Sequence, residues 1–309
     1  MKMKSSNKSL MAWVLFILLA IIWGSSFKLM KMGLHSFSYS QIGMIRISLA
    51  FLFTVLIGFK YFKFLNKNNW FPLFIVGIFG NGLPYLLFPL AVSKIDSSLV
   101  GILNSLVPMF TLIIGLVWFR LRIKWIGILG IVLGLAGAVW LLMPGLKIDP
   151  ETLKYGSYPV LATICYAISI NTINSRLKDL GSMAITLLSL MFCGIPAIVY
   201  VLFTDFFEIM ATDEIAWESL SYVLILGVVG SSVAVILFNY LIKNSGSIFA
   251  ASVTYAIPIV ALLWGIFDKE DVGIQHALGM LTILLGVYLV NKRGSIGDRI
   301  KAQKEKAEV

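Results

Sequence analysis

The groups that could act on a ligand are polar or aromatic side chains placed inside long apolar runs. The candidate binding residues are Trp23, Ser26, Arg46, Asn81, Tyr85, Asn104, Tyr166, Ser169, Ser232, Thr254 and Tyr255. Hydroxyl, amide and aromatic groups bind and orient a small organic molecule, and the aromatic ones suit an amino acid, a nucleobase or an aromatic drug. Taken singly, each has a structural alternative, because Ser and Thr often bond back to their own helix. As a set they predict a wet cavity with aromatic walls.

Arg46 is the candidate that carries a formal charge. It lies about seven residues from the predicted outer end of its apolar run, where an unpaired charge costs several kcal/mol. Two interpretations stay open: a structural bond to backbone carbonyls, or a contact for a carboxylate or phosphate of the ligand. No Asp or Glu lies in the interior of a predicted span, although Glu218 stands at the start of the eighth.

A catalytic or metal site is not indicated by the residues that could build one. His35 and His276 are not paired with a carboxylate at an acid–base spacing or with a second metal ligand. Cys165 and Cys193 have no metal-site spacing and read as small core residues. No phosphate-binding Gly-rich loop with Lys follows a strand. We therefore expect no enzyme, no cofactor and no bound metal.

The composition indicates that lipid surrounds most of the chain. Of the 309 residues, 59% are hydrophobic and 13% are charged, against about 25% charged in soluble proteins. A helix needs about 20 apolar residues to cross the hydrocarbon core of a membrane. The sequence predicts an all-α membrane protein with ten transmembrane helices at 10–30, 39–59, 71–92, 97–118, 123–143, 155–175, 182–203, 218–241, 247–267 and 273–292.

The charges predict the orientation. With both termini in the cytoplasm, 18 of the 25 Lys and Arg residues lie inside and five outside, as the positive-inside rule requires. The apolar run that begins at Leu10 is expected to stay as an uncleaved first span. We expect a multi-pass protein of the cytoplasmic (inner) membrane whose basic tail, 292–306, rests near anionic lipid and binds no nucleic acid.

The second half of the chain repeats the first after about 150 residues. Gly80 falls opposite Gly230, Phe88 opposite Phe238, and Pro108 opposite Pro258. Five spans in each half give the halves opposite orientations, an inverted-topology repeat with a ligand site expected between them. The predicted units are residues 1–146 and residues 147–309, the second including the basic tail.

Small residues mark two further features. Gly130 and Gly134 form a small-x-x-x-small pair on the fifth span, which predicts close packing within the bundle or between protomers, so a homodimer is possible. Pro108 and Pro258 lie in the middle of the fourth and ninth predicted spans. They are candidate bending points for gating.

Several motifs occur in order along the chain: Trp23-Gly24-Ser25-Ser26-Phe27, Arg46 in the second span, and the small-residue runs Ser97–Pro108 and Ser247–Pro258. Together they resemble the EamA family of the drug/metabolite transporter superfamily over nearly the whole chain. The pattern departs in two places. Arg120 stands where the family often has Gly-Glu, and Tyr166-Ala167 stands where the second half would repeat Trp-Gly.

The resemblance implies a secondary transporter that exports or exchanges a small organic metabolite by alternating access. The aromatic walls favour an amino acid-like solute. A multidrug carrier and a nucleotide- or sugar-type carrier of the same fold stay open, as does a channel or a membrane scaffold without transport. Proton-driven carriers often use a carboxylate within the membrane, so its absence favours a facilitator or a solute-driven exchanger, although sodium is not excluded.

Overall fold

The computed structural model describes residues 5–95, 97–121, 124–142, 150–267 and 274–291, which form helices and turns and contain no strand. The first half contains α1 (Ser5–Gly33), α2 (Tyr39–Gly58), α3 (Trp70–Gly77), α4 (Leu83–Val92), α5 (Ser97–Asn104), α6 (Val107–Val117) and α7 (Trp125–Leu142). The second half contains α8 (Pro150–Arg176), α9 (Ser182–Leu202), α10 (Phe206–Thr212), α11 (Ala216–Ile225), α12 (Ala234–Ser245), α13 (Ser247–Ala251), α14 (Val253–Phe267) and α15 (Ile274–Asn291). The all-helical prediction is confirmed for these residues.

Among the residues that the structure describes, five helical segments are long and apolar enough to cross a membrane: Leu10–Gly33, Tyr39–Phe64, Trp70–Val92, Ser182–Leu202 and Ala216–Ser245. Four shorter apolar helices accompany them: Val107–Val117, Trp125–Trp140, Ser247–Val260 and Leu278–Val290. The 27-residue α8 is long enough, but its Ser, Thr, Asn and Tyr residues lower its hydropathy. The protein is therefore a membrane protein by its apolar helices, while the number of ten crossings stays a prediction.

Two π-helical segments lie at equivalent places in the two halves. The first, Ile78–Gly82, joins α3 to α4, and the second, Leu226–Val233, joins α11 to α12. Each contains one member of the glycine pair that aligns in the sequence, Gly80 and Gly230. A π segment inserts an extra residue into the helical turn and so rotates the helix face beyond it. This shared irregularity supports the internal duplication.

A glycine at or next to each π segment packs against the opposite half in the same way. A Cβ built on Gly77 would lie 2.3 Å from the carbonyl oxygen of Ser189 on α9. A Cβ built on Gly227 would lie 3.1 Å from the carbonyl oxygen of Arg46 on α2 and 2.7 Å from Leu49 Cβ. In both halves a glycine lets the third long helical segment approach the second helix of the opposite half. The two halves are thus interlocked through matching contacts.

α7 and α15 pack together through their glycines. A Cβ on Gly130 would lie 2.7 Å from the carbonyl oxygen of Gly286, and one on Gly137 would lie 2.9 Å from that of Gly279. Because Gly130 aligns with Gly279 and Gly137 with Gly286, the two contacts are the same contact seen from either half. The glycine face predicted for close packing is used here within one chain.

The fourth and ninth predicted spans are each broken by a turn. α5 ends at Asn104 and α6 begins at Val107, so Pro108 lies in the first turn of α6 and not in the middle of a continuous helix as predicted. Proline fits there because the first turn of a helix needs no N–H donor.

Pro258 does lie inside its helix, α14, as predicted. Its missing N–H leaves the carbonyl of Thr254, four residues earlier, without the usual helical donor. The hydroxyl of Ser105 in the opposite half donates to that carbonyl at 3.4 Å. The break in one half therefore supplies a donor to the proline-containing helix of the other.

Candidate functional site

A cavity lies at the interface of the two halves. The first half supplies residues of α1, α2, the first π segment, α3 to α6, and the second half supplies residues of α8, α12 and α14. The site therefore depends on both halves, as an inverted repeat predicts.

Nine of the eleven candidate binding residues line this cavity. They are Trp23, Ser26, Arg46, Asn81, Tyr85, Asn104, Tyr166, Ser169 and Thr254. Lining places a side chain where it can meet a ligand, and the binding roles of these residues stay predictions.

Ser232 and Tyr255 are not among the cavity-lining residues. The hydroxyls of Ser232 and Thr54 are 2.6 Å apart and share a hydrogen bond. Tyr255 donates to the carbonyl of Ile131 at 2.8 Å, and its ring lies where a Cβ on Gly134 would fall. Both polar groups are thus used for packing between helices of the opposite halves.

Arg46 is held on two sides within the cavity wall. Its Nε donates to Ser231 Oγ at 2.5 Å, and its Cζ lies 4.0 Å from the centroid of the Tyr85 ring. Ser231 Oγ in turn donates to the carbonyl of Leu226 in the second π segment at 2.8 Å. Arg46 is buried, with 5% of its surface exposed. In the apolar helices of the described residues, the carboxylates are Glu151 and Glu218, and each lies in the first turn of its helix.

The stacked ring offsets part of the cost of burying the guanidinium. A cation over an aromatic face gains about 0.5–2 kcal/mol, the larger values where water is excluded. That is less than the several kcal/mol that an unpaired charge costs within the membrane. The described residues thus compensate the charge of Arg46 in part.

Aromatic pairs join the two halves across the cavity. The Trp23 and Phe238 ring centroids are 4.9 Å apart in an edge-to-face arrangement, and those of Phe88 and Tyr166 are 5.8 Å apart and stacked. Phe88 and Phe238 occupy equivalent positions in the repeat. Each pair therefore joins an aromatic residue on the first helix of one half to this equivalent phenylalanine in the other half. Trp23 is further fixed by a 3.0 Å hydrogen bond from Nε1 to the carbonyl of Gly230.

Two amide oxygens of the cavity lack donors. Oδ1 of Asn81 and Oδ1 of Asn104 accept no hydrogen bond within the described part of the chain. Their residues are 1% and 5% exposed. Buried polar atoms are nearly always paired, so these two oxygens are exceptions within the described residues.

A protein-family comparison decides what kind of protein this is. The model of the EamA-like transporter family matches residues 10–143 and again residues 156–292, one match to each half. The chain belongs to the EamA-like transporter family.

Relatives of this EamA-like protein carry transporter names. An uncharacterized transporter of Archaeoglobus fulgidus is 25% identical over 284 residues, which cover 91% of this chain and 99% of the relative. An uncharacterized transporter in the trpA 3′ region of Buchnera aphidicola subsp. Schlechtendalia chinensis is 21% identical over 287 residues, covering 90% and 91%. The similarity to the EamA family that the sequence motifs indicated is confirmed.

A solved crystal structure shares the fold. It superposes on this EamA-like chain with a TM-score of 0.71 at 15% sequence identity, covering 92% of this chain and 97% of the other. At this identity the comparison supports the fold alone.

More than half of the residues in the EamA-like cavity wall were not selected from the sequence. The unselected lining residues are mostly apolar, including Phe27, Phe88, Ile170, Ile173 and Phe238. In a chain that is apolar nearly everywhere, hydropathy does not separate a cavity-facing side chain from a lipid-facing one. The pairing of Phe88 with Phe238 in the repeat was the feature that could have identified two of them.

Asn239 is the polar lining residue that sequence reasoning missed. Its Nδ2 donates to Thr186 Oγ1 at 2.9 Å, so one end of its amide is committed to α9. Among the residues that the structure describes, no group of three His, Cys, Asp or Glu side chains could hold a metal. His276 lies outside the described side chains.

Proposed function

We propose that this EamA-like transporter is a secondary carrier that exports or exchanges a small organic metabolite, with an amino acid-like solute favoured. The observation that carries the proposal is the cavity between the halves, lined by aromatic rings, amides and one guanidinium. Its mixed lining suits a solute with both an apolar part and polar groups. The place of the cavity between the two halves supports transport through this site, and we propose that the membrane is the cytoplasmic one.

The matching contacts of the two halves support a mechanism of alternating access. Because the two halves make equivalent contacts, each half can adopt the conformation of the other. The cavity would then open first to one side of the membrane and then to the other. The turn before Pro108 and the proline-containing α14 both adjoin the cavity, where Asn104, Val107, Thr254 and Ile257 line it. We assign the two proline regions as the bending points of that exchange.

The proposed topology has ten spans with both termini in the cytoplasm. Residues 1–146 and 147–309 form the two five-helix repeats of opposite orientation. Contacts across the predicted outer side agree with this arrangement, since Gln41 donates to Asp205 at 2.8 Å and Ser36 to Ser219 at 3.0 Å. All four residues lie at predicted outer ends of spans or in outer connections.

Counterflow in proteoliposomes tests the proposal. The purified full-length protein is reconstituted into vesicles loaded with a mixture of unlabelled amino acids, and entry of each labelled amino acid is followed. A carrier shows transient accumulation driven by the unlabelled pool, whereas a channel shows equilibration alone. Amino acid-like solutes are the expected substrates.

A variant that fills the cavity is compared with a matched control on the outer surface. Val235→Trp places a large ring in the cavity wall. The control, Leu56→Ala, shortens a side chain that is 82% exposed on the outside of the helix bundle. Accumulation should be lost in the first variant and kept in the second, with both eluting as single species. Equilibration without trans-stimulation in the wild type would favour a channel and reject the carrier.

A further inference from the structure

We propose that the connection between α2 and α3, residues 59–69, binds the headgroup of an anionic phospholipid, with Lys60, Lys63 and Lys67 as the cationic groups. Exposed aromatic side chains on either side of the lysines hold the acyl chains of the same lipid. The inference concerns the outer surface of the helix bundle. It is therefore independent of the cavity and of the solute that the carrier transports.

The length of the second helical segment places this connection at the membrane surface. α2 has 20 residues and follows the N-cap Ser38, whose side chain accepts a hydrogen bond from the backbone of Gln41. At 1.5 Å per residue the helix is about 30 Å long, which equals the thickness of the hydrocarbon core. The 3₁₀ helix Phe59–Phe64 continues directly from its end. The side chains of this 3₁₀ helix therefore lie at the level of the lipid headgroups and the adjoining acyl chains.

The 3₁₀ helix presents its lysines on a face directed away from the bundle. Residues three apart lie one above the other in such a helix, and Lys60 and Lys63 are three apart and exposed. Tyr61 and Phe62 are partly buried and pack against the hydrophobic core. The Lys60 Nζ lies 5.6 Å from the Tyr61 ring centroid, and the Lys63 Nζ lies 5.4 Å from that of Phe64. Each ammonium group is thus held at the level of an aromatic ring.

The third lysine, Lys67, lies in a turn that side-chain amides hold in one conformation. Asn69 is buried, its Oδ1 accepts from the backbone N–H of Asn66 at 3.0 Å, and its Nδ2 donates to the carbonyl of Phe64 at 2.8 Å. Asn66 Oδ1 accepts from the backbone N–H of Asn68 at 2.9 Å. Because the turn is fixed to the end of the 3₁₀ helix, Lys67 has a defined place beside the other two lysines.

The charge of this connection calls for an anion from outside the segment. No acidic residue precedes Asp96 in the chain. The equivalent connection of the second half, between α9 and α11, has the opposite charge, with no Lys or Arg and with the acidic residues Asp205, Glu208, Asp213 and Glu214. Lysines near the membrane surface attract anionic lipid. A zwitterionic lipid brings a cation of its own, which three lysines repel.

The exposed aromatic side chains favour a lipid over a soluble anion. Phe59 is 71% exposed, Phe64 42%, Trp70 49% and Phe71 54%. Aromatic side chains gather at the interface between membrane and water, where the ring meets acyl chains and its surroundings are polar on one side. A soluble phosphate would meet the lysines and leave these rings uncovered. A phospholipid meets both, with its phosphate at the lysines and its chains against the rings.

Brominated lipids test the site through Trp70, since bromine quenches the fluorescence of a nearby tryptophan. The purified full-length protein in detergent micelles receives phosphatidylglycerol or phosphatidylcholine, each brominated near the glycerol end of its chains. The difference in quenching between the wild type and Trp70→Phe gives the part that belongs to this site. Competition with the unbrominated lipid gives the relative affinity. Melting temperature is followed in the same titrations, because a ligand of the folded state raises it.

Three lysine variants are compared with a charge-matched control. Lys60, Lys63 and Lys67 are changed to Gln together, and Lys63→Gln is made alone. The control changes three exposed lysines at the opposite end of the bundle to Gln: Lys31, Lys94 and Lys154. A further variant changes the three site lysines to Arg and so keeps their charge.

Phosphatidylglycerol should bind about 10- to 100-fold more tightly than phosphatidylcholine at Trp70 in the wild type, in the control and in the Arg variant. Lys63→Gln should lower this ratio about fivefold, and the triple Gln variant should bring it close to one. Raising the salt concentration should lower the ratio in the wild type, because the lysines are exposed and their field is screened.

Three results would overturn the inference. The first is equal binding of the two lipids by the wild type. The second is a preference for phosphatidylglycerol that the control loses, or that Lys63→Gln and the triple Gln variant keep. The third uses glycerol 3-phosphate, which carries the phosphate without the chains. If it raises the melting temperature of the wild type as far as phosphatidylglycerol does, and the triple Gln variant abolishes this, the site binds a soluble phosphate and not a lipid.

Discussion

At the scale of single residues, the best-defined feature is how a buried guanidinium is accommodated without a carboxylate. Arg46 combines a hydrogen bond to Ser231 with a stacked Tyr85 ring, and the hydroxyl of Ser231 donates a hydrogen bond to the carbonyl of Leu226. The second π segment thus acts as the anchor for a residue of the first half. This small network joins the structural interpretation of Arg46 to the functional one, since the same bond that holds it also orients it.

Ser231→Ala is expected to cost more than the same change at its neighbour. It leaves the Nε of a charged group without an acceptor, and hydrogen bonds to charged groups contribute about 1.5–3 kcal/mol. Ser232→Ala breaks a neutral bond to Thr54, worth about 0.5–1.5 kcal/mol. Melting temperature in detergent should therefore fall further for Ser231→Ala, and affinity for an amino acid that shows counterflow should fall for that variant alone.

The control is built into the pair, because both serines are fully buried and adjacent in the chain. Equal losses of melting temperature with no change in affinity for either variant would contradict a role for Ser231 in orienting Arg46.

Sequence reasoning reached part of this network and missed its geometry. Arg46 and its need for compensation followed from the charge and the apolar run. The acceptor of its hydrogen bond, Ser231, could not be predicted. The π segment rotates the helix face and moves Ser231 and Ser232 away from regular α-helical positions. Ser232 was selected as a cavity residue, but the serine that contacts Arg46 is Ser231.

At the scale of elements, glycine placement controls how close the two halves come. α7 and α15 approach until a Cβ on Gly286 would lie 2.5 Å from the backbone nitrogen of Gly134 and 2.7 Å from the carbonyl oxygen of Gly130. Helices in lipid associate through such close van der Waals contact, since apolar burial provides little driving force there. The sequence predicted the glycines and their packing role. It could not tell contact within one chain from contact between protomers.

Gly286→Ala is expected to separate α7 from α15 and destabilise the fold. The added methyl group meets backbone atoms, which cannot turn aside as a side chain can, and overpacking costs about 1–3 kcal/mol. The comparison is Gly101→Ala on α5, where a Cβ would find nothing within 4 Å. In a helix that change is favourable by about 0.5–1 kcal/mol. Melting temperature should fall for the first variant and hold or rise for the second, and a fall in both would contradict the assignment.

At the scale of the whole molecule, the duplication organises the fold and the cavity together. The matched glycine contacts, π segments and aromatic pairs each occur twice, once from either half. The duplication could be read from the sequence because glycine, proline and phenylalanine recur after about 150 residues. The broken fourth and ninth spans could not be predicted, because a proline in an apolar run is compatible with a helix interior or with a helix start.

Both termini are expected on the cytoplasmic side. The reason is the distribution of Lys and Arg, 18 of 25 on that side, in connections short enough for the positive-inside rule to apply. Alkaline phosphatase and green fluorescent protein fused in turn at Ser6 and at Ala302 report the two sides of the membrane. Fluorescence without phosphatase activity is expected at both positions, and phosphatase activity at either one would reject the topology.

Downhill transport is expected to need no proton gradient. A membrane-embedded proton carrier is usually a carboxylate, and the apolar helices in the described residues hold only Glu151 and Glu218, each in the first turn of its helix. The cavity itself contains a guanidinium in place of an acid. Proteoliposomes with a gradient of a transported solute are therefore compared with and without a protonophore, at equal internal and external pH. The initial flux should be the same in both, with Val235→Trp vesicles giving the leak. Loss of flux on adding the protonophore, while the solute gradient is intact, would show that protons are obligatory and that their carrier is some other group.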